Sequence, residues 1–119
     1  MPKGEGGKNQ ILQRWTDGGN LRNAKRTDEN QKSIVNELRS YGFLVRVTSS
    51  IGQGFPDILV AKDRKALGVE IKAKGKRKNL TDDEITMQSW FEQLGMKYVV
   101  AEDVAEIIKA WKEMKETAV

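Results

Sequence analysis

The sequence predicts a single α/β domain in which a small mixed sheet is flanked by helices. A length of 119 residues with 38% hydrophobic content suits one globular domain with a real core. Apolar runs with helical and strand periodicity follow each other in the order α-β-β-β-α-β-α, which indicates helices packed on a sheet. No run approaches the roughly 20 apolar residues of a membrane span, and the N-terminus has no apolar signal-peptide core. We therefore expect a cytoplasmic protein.

Residues 1–26 are predicted to form a flexible basic arm, and residues 27–119 the folded domain. The first ten residues are glycine-rich and polar, so we expect them to be disordered. Ile11, Leu12 and Trp15 form a short amphipathic patch that packs either on the domain or on a second copy of it. A turn is predicted over residues 17–20.

The first helix is predicted over residues 28–41. Asp28 and Gln31 have the spacing of a capping box at its start. Ile34 and Leu38 lie on one helical face, and Gly42 is a typical helix end.

Three strands are predicted next, over residues 43–49, 56–62 and 66–72. In the first, Val45 and Val47 share one face and Arg46 lies on the other. The polar stretch 62–65 separates the second and third strands, which indicates a hairpin.

The second half of the domain is predicted to hold two helices around a short strand, 97–101. Thr81 and Glu84 have capping-box spacing, as do Asp103 and Glu106. Each helix carries an apolar stripe assigned to the core. The stripes are Met87, Trp90, Phe91 and Leu94, and then Val104, Ile107, Ile108 and Trp111.

The hairpin within residues 55–72 carries the candidate chemistry. Side chains alternate along a strand, so Glu70 and Lys72 share one face, and the hairpin brings Asp57 beside Glu70. Carboxylates are preferred ligands of hard divalent cations, and a lysine beside them can orient water or offset phosphoryl charge. The alternative is that Glu70 and Lys72 are the solvent face of a half-buried strand.

The chain contains no histidine and no cysteine. This composition excludes histidine-based triads and acid–base pairs, thiolate zinc sites and disulfides. Any metal chemistry must use carboxylates, which favours Mg²⁺ or Mn²⁺.

Basic residues are concentrated directly after the hairpin. The formal net charge is +4, from 21 basic and 17 acidic residues, so their distribution matters more than their sum. The cluster consists of Lys72, Lys74, Lys76, Arg77 and Lys78, and a looser one of Arg14, Arg22, Lys25 and Arg26. A solvated charge run is the alternative, but a neighbouring metal site favours phosphate contact. We expect Arg46, Ser50 and the basic loop to contact the backbone of a nucleic acid.

These motifs together resemble the PD-(D/E)xK nuclease superfamily, and within it the VRR-NUC (virus-type replication-repair nuclease) family. The family pattern is a helix ending in Gly, G-x-P-D, E-x-K, a basic loop and L-T-x-x-Q. The corresponding residues here are Gly54, Pro56 and Asp57, then Glu70 and Lys72, then Leu80 and Thr81. Each motif is common, but their order and spacing over residues 28–111 are fairly specific.

The resemblance implies a restriction-endonuclease-like αβββαβ core and metal-dependent cleavage of DNA. Asp57, Glu70 and the backbone carbonyl of Ile71 would bind Mg²⁺ or Mn²⁺, and Lys72 would position or activate the attacking water. Small members are similar to Holliday-junction resolvases, which implies a homodimer that cuts branched DNA.

The chain differs from the family pattern in two places. Related nucleases have a metal-binding acid on the first helix, where this chain has Thr27 and Gln31. Glu29 and Glu37 are the nearby carboxylates, and on a regular helix Gln31 lies on the side of the apolar stripe, Glu37 on its flank and Glu29 away from it. Glu29 and Gln31 are the catalytic candidates from this helix. The family's L-T-x-x-Q glutamine falls at Glu84, which leaves Gln88, one turn later, as a further candidate.

The leading hypothesis is therefore a metal-dependent DNA endonuclease, selective for Holliday junctions or other branched DNA. Two alternatives remain: a catalytically degenerate nucleic-acid-binding module and a protein-interaction domain.

Overall fold

The computed structural model describes the backbone of residues 20–115 and the side chains of residues 29–115. Residues 1–19 of the predicted arm, with its patch at Ile11, Leu12 and Trp15, lie outside the described residues. Residues 20–26, predicted as part of the flexible arm, are helical. The chain divides into two units, Met1–Lys32 and Ser33–Val119. The core and the candidate site both belong to the second unit.

Helix α1 spans Asn20–Ser40, so it begins eight residues before the predicted start. The Asp28 capping box was wrong, because no Gly or Pro interrupts residues 20–28 and a helix propagates readily once nucleated. The predicted end is confirmed. Gly42 has φ +91, and N–H groups of Gly42 and Phe43 donate to the carbonyls of Arg39 and Leu38 at 3.0 and 3.1 Å, the hydrogen bonds of a Schellman motif.

The sheet has four strands in the order β1-β2-β3-β4. They are β1 (Leu44–Val47), β2 (Ile58–Lys62), β3 (Lys65–Ile71) and β4 (Lys97–Ala101). The first three are antiparallel neighbours and β4 runs parallel to β3, so the predicted mixed sheet is confirmed. Helices α2 (Asp82–Gln93) and α3 (Val104–Glu113) complete the predicted order.

The predicted hairpin of β2 and β3 is also confirmed. Lys62 pairs with Lys65, and the two residues between them, Asp63 and Arg64, have φ of +52 and +65. Positive φ at both central positions is the type I′ turn that suits the right-handed twist of a two-residue hairpin. The register places Ile58 opposite Val69, so Asp57 precedes β2 at the level of Glu70.

One face of the sheet carries the main core, which residues 33–40 of α1 and helix α3 cover. Its buried members are Ile34, Val35, Leu38, Phe43, Ile58, Val60, Leu67, Val69, Ile71, Ala101, Val104 and Ile107. Trp111 packs edge-on against Phe43 at 5.0 Å between ring centroids, and its indole N–H donates to the Lys62 carbonyl at 2.9 Å. This face therefore fixes the backbone of the strands whose other face bears the candidate site.

Helix α2 covers part of the opposite face through Phe91. A Cβ on Gly68 would meet Phe91 Cε2 at 2.9 Å, so the ring rests directly on the backbone of β3. The prediction that the whole α2 stripe is core was wrong, since Trp90 and Leu94 are 56% and 72% exposed. Trp90 projects about 100° around the helix from Phe91, and Leu94 caps the helix end. In the part of the chain described, no helix is long and apolar enough to cross a membrane.

Candidate active site

Asp57 is held in place from two neighbouring elements. The buried Thr48 hydroxyl donates to the Pro56 carbonyl at 2.7 Å, and the Thr48 N–H donates to the Asp57 carbonyl at 2.8 Å. The Asp57 carboxylate accepts a hydrogen bond from the Ile71 N–H at 2.8 Å. The side chain is therefore fixed between the entrance of β2 and the end of β3.

The structure brings the three central predicted residues together. Glu70 and Lys72 project from the same face at the end of β3, with Lys72 Nζ 3.7 Å from Glu70 Oε2. Asp57 is bound to Ile71, the residue between them. The expected convergence of two carboxylates and one lysine is thus present, and Glu70 is buried at 6% exposure.

The backbone of Ile71 faces Asp57. Its side chain lies in the core on the opposite face of the sheet, while its N–H points at the Asp57 carboxylate. The N–H and C=O of one strand residue leave the strand on the same side. The Ile71 carbonyl oxygen therefore also points to the edge of β3 on which Asp57 lies.

Burial and mutual repulsion change the protonation of the two carboxylates. Burial and then the charge of Asp57 raise the pKa of Glu70 to about 9. Burial also raises the pKa of Asp57, although its hydrogen bond from Ile71 opposes the change. At neutral pH the pair therefore retains a proton that ordinary carboxyls would have lost.

Glu84 is a third carboxylate of this cluster. From the sequence alone it is identified as a capping acid at the position of the family's glutamine but is not included among the site residues. The capping box itself is confirmed: the Thr81 hydroxyl accepts from the Glu84 N–H, and Glu84 Oε1 accepts from the Thr81 N–H. The same Oε1 atom lies 2.9 Å from Lys72 Nζ. Burial acts to raise the pKa of Glu84, but hydrogen bonds from Lys72 and the Thr81 N–H outweigh it and lower the pKa.

Gly54 allows the start of α2 to approach the site. A Cβ at Gly54 would lie 2.2 Å from the Asp83 carbonyl oxygen and 2.7 Å from the Glu84 nitrogen. Only glycine leaves room for that backbone, and φ of +81 favours glycine as well. The glycine of the G-x-P-D motif thus sets the distance between the Asp57 loop and Glu84.

Tyr98 was not predicted as a site residue. Its hydroxyl donates to the Gly54 carbonyl at 3.2 Å, and its ring packs edge-on against Phe91. Burial and then the nearby charges of Glu70 and Glu84 raise its pKa. The alternation of side chains along strand 97–101 could have placed Tyr98 on the same face as Glu70. It could not have indicated that the Tyr98 ring is buried there.

The remaining predicted catalytic candidates are less closely tied to the cluster. Glu29 and Gln31 belong to the first unit, and their assignment to the site stays a prediction. Gln88 is half-buried on α2, one turn after Glu84, whereas the contact to Lys72 comes from Glu84. Glu37 is exposed and accepts a hydrogen bond from the Tyr41 hydroxyl.

The predicted nucleic-acid contacts are exposed, with one notable difference among them. Arg46, Ser50, Lys74, Lys76, Arg77 and Lys78 all lie at the surface. Arg77 is engaged by acidic residues: its guanidinium pairs with Glu106 and with Glu102 Oε2 at 3.5 Å. Its backbone N–H also donates to Glu102 at 3.3 Å, so Arg77 attaches the basic loop to the start of α3.

The cluster offers oxygen donors only, which is the ligand chemistry of Mg²⁺ and Mn²⁺. As the side chains stand, no three acidic residues among 29–115 are arranged so that they could hold a metal ion. The ammonium of Lys72 contacts both Glu70 and Glu84 and is the positive charge of the cluster.

Comparison of the chain with protein-family models, with curated proteins and with solved structures gave no match in any of the three.

Proposed function

We propose that the chain is a metal-dependent DNA endonuclease of the PD-(D/E)xK type, with the restriction-endonuclease-like core that the type implies. The observation that carries the proposal is the convergence of Asp57, Glu70 and Lys72 at one end of β2 and β3. In a half-buried strand with a solvent face, Glu70 would be exposed. It is instead buried against a second acid. Burying two acids together costs stability, and such arrangements are typical of functional sites.

The residues have complementary roles in hydrolysis of a phosphodiester. Asp57, Glu70 and the Ile71 carbonyl are the proposed ligands of Mg²⁺ or Mn²⁺, which would polarise the phosphate and lower the pKa of bound water. Lys72 would orient the attacking water and offset charge that develops on the phosphoryl oxygens. The water oxygen forms a new bond to phosphorus while the bond between phosphorus and the leaving oxygen breaks, and one proton of the water ends on that leaving oxygen.

Nucleic-acid binding is assigned to basic side chains on the surface around the cluster. Lys74, Lys76 and Lys78 are exposed on the loop that follows Lys72. Arg46 lies opposite Leu59, and Leu59 opposite Gly68, so Arg46 projects on the same face of the sheet as Glu70. Contacts of this kind bind phosphate without reading sequence.

A homodimer acting on branched DNA is the second part of the proposal. Trp90 and Leu94 lie one turn apart on the outer side of α2, and the exposed Met96 follows them. Exposed apolar side chains grouped in this way favour a protein interface. A two-fold arrangement would present two active sites to opposed strands. Leu94→Glu should then convert the dimer to a monomer, and the mass measured by light scattering would show the change.

A cleavage panel tests the activity. Purified protein is incubated with duplex, flap, splayed-arm and four-way DNA and with RNA, with Mg²⁺ or Mn²⁺, beside the variants Asp57→Ala and Lys72→Ala. We expect metal-dependent cutting by the wild type alone, strongest on branched DNA. If no substrate is cut with either metal, the endonuclease proposal fails.

The alternative is a catalytically degenerate module that binds nucleic acid. It is favoured by the 2.9 Å ion pair that occupies Lys72 with Glu84. Metal titration by calorimetry separates the two: binding that depends on Asp57 and Glu70 supports the enzyme. A protein-interaction domain would bind no DNA, so salt-sensitive DNA binding argues against that third possibility.

A further inference from the structure

We infer that Glu84 is a positioning residue that aims the Lys72 ammonium at the Asp57–Glu70 pair. The inference rests on the proposed function. The family pattern has a glutamine where this chain has Glu84, and the inference gives Glu84 a role in the same proposed site. It also accounts for the ion pair that otherwise favours a degenerate module.

The two contacts of Glu84 Oε1 make it a fixed acceptor. The atom lies 3.0 Å from the Thr81 N–H and 2.9 Å from Lys72 Nζ. The first contact anchors the carboxylate to the backbone at the start of α2. The second therefore places the ammonium relative to the backbone of the fold, not to a freely rotating side chain.

The surroundings leave this ion pair little freedom. The side chains of Lys72 and Glu84 are 15% and 13% exposed, so water screens their attraction much less than at an open surface. Lys72 also lies 3.7 Å from Glu70 Oε2. The ammonium is thus held between the two glutamates, on the face of the sheet where Asp57 and Glu70 meet.

The position of Glu84 depends in turn on the glycine of the Asp57 loop. Gly54 lies against the Asp83 carbonyl and the Glu84 nitrogen without room for a Cβ. The loop that delivers Asp57 and the helix turn that delivers Glu84 are therefore in direct contact.

Steady-state kinetics with three variants test the inference. Glu84→Ala removes both contacts, Glu84→Gln keeps an acceptor oxygen and a residue that suits the capping box, and Thr81→Ala weakens the cap but leaves the Lys72 contact. We expect kcat to fall roughly 100-fold in Glu84→Ala with KM within about twofold, as for a misplaced catalytic group. Glu84→Gln should recover part of kcat. Thr81→Ala should lower Tm through the weakened cap and keep the wild-type kcat.

A measurement that needs no cleavage keeps the two proposals separate. Wild type and Glu84→Ala are acylated with an amine-directed reagent, and the labelling rate of each lysine is followed by peptide mass spectrometry. Lys72 should react several-fold faster in Glu84→Ala, while the exposed Lys74 reacts equally in both. Equal rates at Lys72, or a kcat of Glu84→Ala equal to that of Thr81→Ala, would overturn the inference. A wild type that cuts no DNA fails the proposed function only, since the labelling still decides whether Glu84 holds Lys72.

Discussion

The carboxylate of Asp57 accepts a hydrogen bond from the backbone N–H of Ile71 at 2.8 Å, across 14 residues of sequence. This bond closes the hairpin at the end opposite its turn. It ties the acid at the entrance of β2 to the residue between Glu70 and Lys72. The same bond therefore stabilises the sheet and assembles the candidate site.

Asp57→Asn should separate these two roles. The amide oxygen can still accept the hydrogen bond from Ile71, and the loss of charge removes repulsion with Glu70, so Tm should stay at or above the wild-type value. Cleavage should be abolished, because a neutral amide is a weak ligand for Mg²⁺. Thermal unfolding with and without Mn²⁺ measures both effects. If the Asp57→Asn variant still gains the wild-type increment in Tm from Mn²⁺, the metal assignment is contradicted.

Lys72→Met should remove cleavage and leave DNA binding nearly intact. Methionine retains most of the apolar stem, whereas the ammonium proposed to orient water is lost. A rate reduction of roughly 10²- to 10⁴-fold is expected from the loss of one such group. Fluorescence anisotropy with four-way DNA, in Ca²⁺ or without metal, reports binding alone. Lys74→Met is the matched control, and it should weaken binding more than Lys72→Met does.

The stability of the metal-free protein should fall as pH rises from about 5 to 9. The pKa of Glu70 is about 9 in the folded protein against an ordinary value of 4.5, so between these values the folded state binds a proton that the unfolded state has released. Stability from this group is complete below pH 4.5 and declines up to pH 9. Glu70→Gln should flatten this slope in urea unfolding measured across the range. Glu92→Gln, on the exposed side of α2, is the matched control for loss of a carboxylate outside the cluster.

Gly54→Ala should cost more stability than the same substitution at a glycine that has no close neighbouring atoms. Both Gly54 and Gly75 have φ of +81, but a Cβ at Gly75 meets nothing within 4 Å. Gly75→Ala should therefore cost about 1–2 kcal/mol from backbone strain alone. Gly54→Ala should add on the order of 1–3 kcal/mol, because the start of α2 must shift to make room. Equal free energies of unfolding for the two variants would contradict the close approach.

Lys76 and Arg77, adjacent in the basic loop, should behave differently in DNA binding. Lys76 is exposed and available to phosphate, whereas Arg77 is paired with Glu102 and Glu106. Lys76→Ala should reduce the slope of log K against log salt by about 1. Arg77→Ala should change that slope less and should lower Tm, since it detaches the loop from α3. A larger slope change for Arg77→Ala would mean that the arginine leaves its acidic partners to bind DNA.

Much of the fold was predictable because its signals are local. The cap at Thr81 is a reciprocal capping box with Glu84, the Asp103 side chain caps α3 by accepting from the Glu106 N–H, and Gly42 ends α1 through its own positive φ. The hairpin was predictable from two apolar runs separated by a short polar stretch, and in the structure two residues lie between the paired Lys62 and Lys65. The period of two along β3 was enough to place Glu70 and Lys72 on one face.

No local signal determines where α1 starts or which residues of α2 are buried. Asp28 is a residue type typical of helix N-caps, but the residues before it are equally able to continue a helix. Trp90 and Leu94 match a core stripe, and only the packing of Phe91 on Gly68 decides which side of α2 meets the sheet. Periodicity identifies a face without saying how much of it is covered.

The sequence by itself determined which residue types the site can use. With no histidine or cysteine, only carboxylates and a lysine remained, and the strand period and hairpin placed Asp57, Glu70 and Lys72 together. Only the tertiary structure decided which further residues join them. Gly54 lets α2 approach closely enough for Glu84 to reach Lys72 across 2.9 Å, and this contact depends on the packing of elements whose relative placement no local pattern encodes.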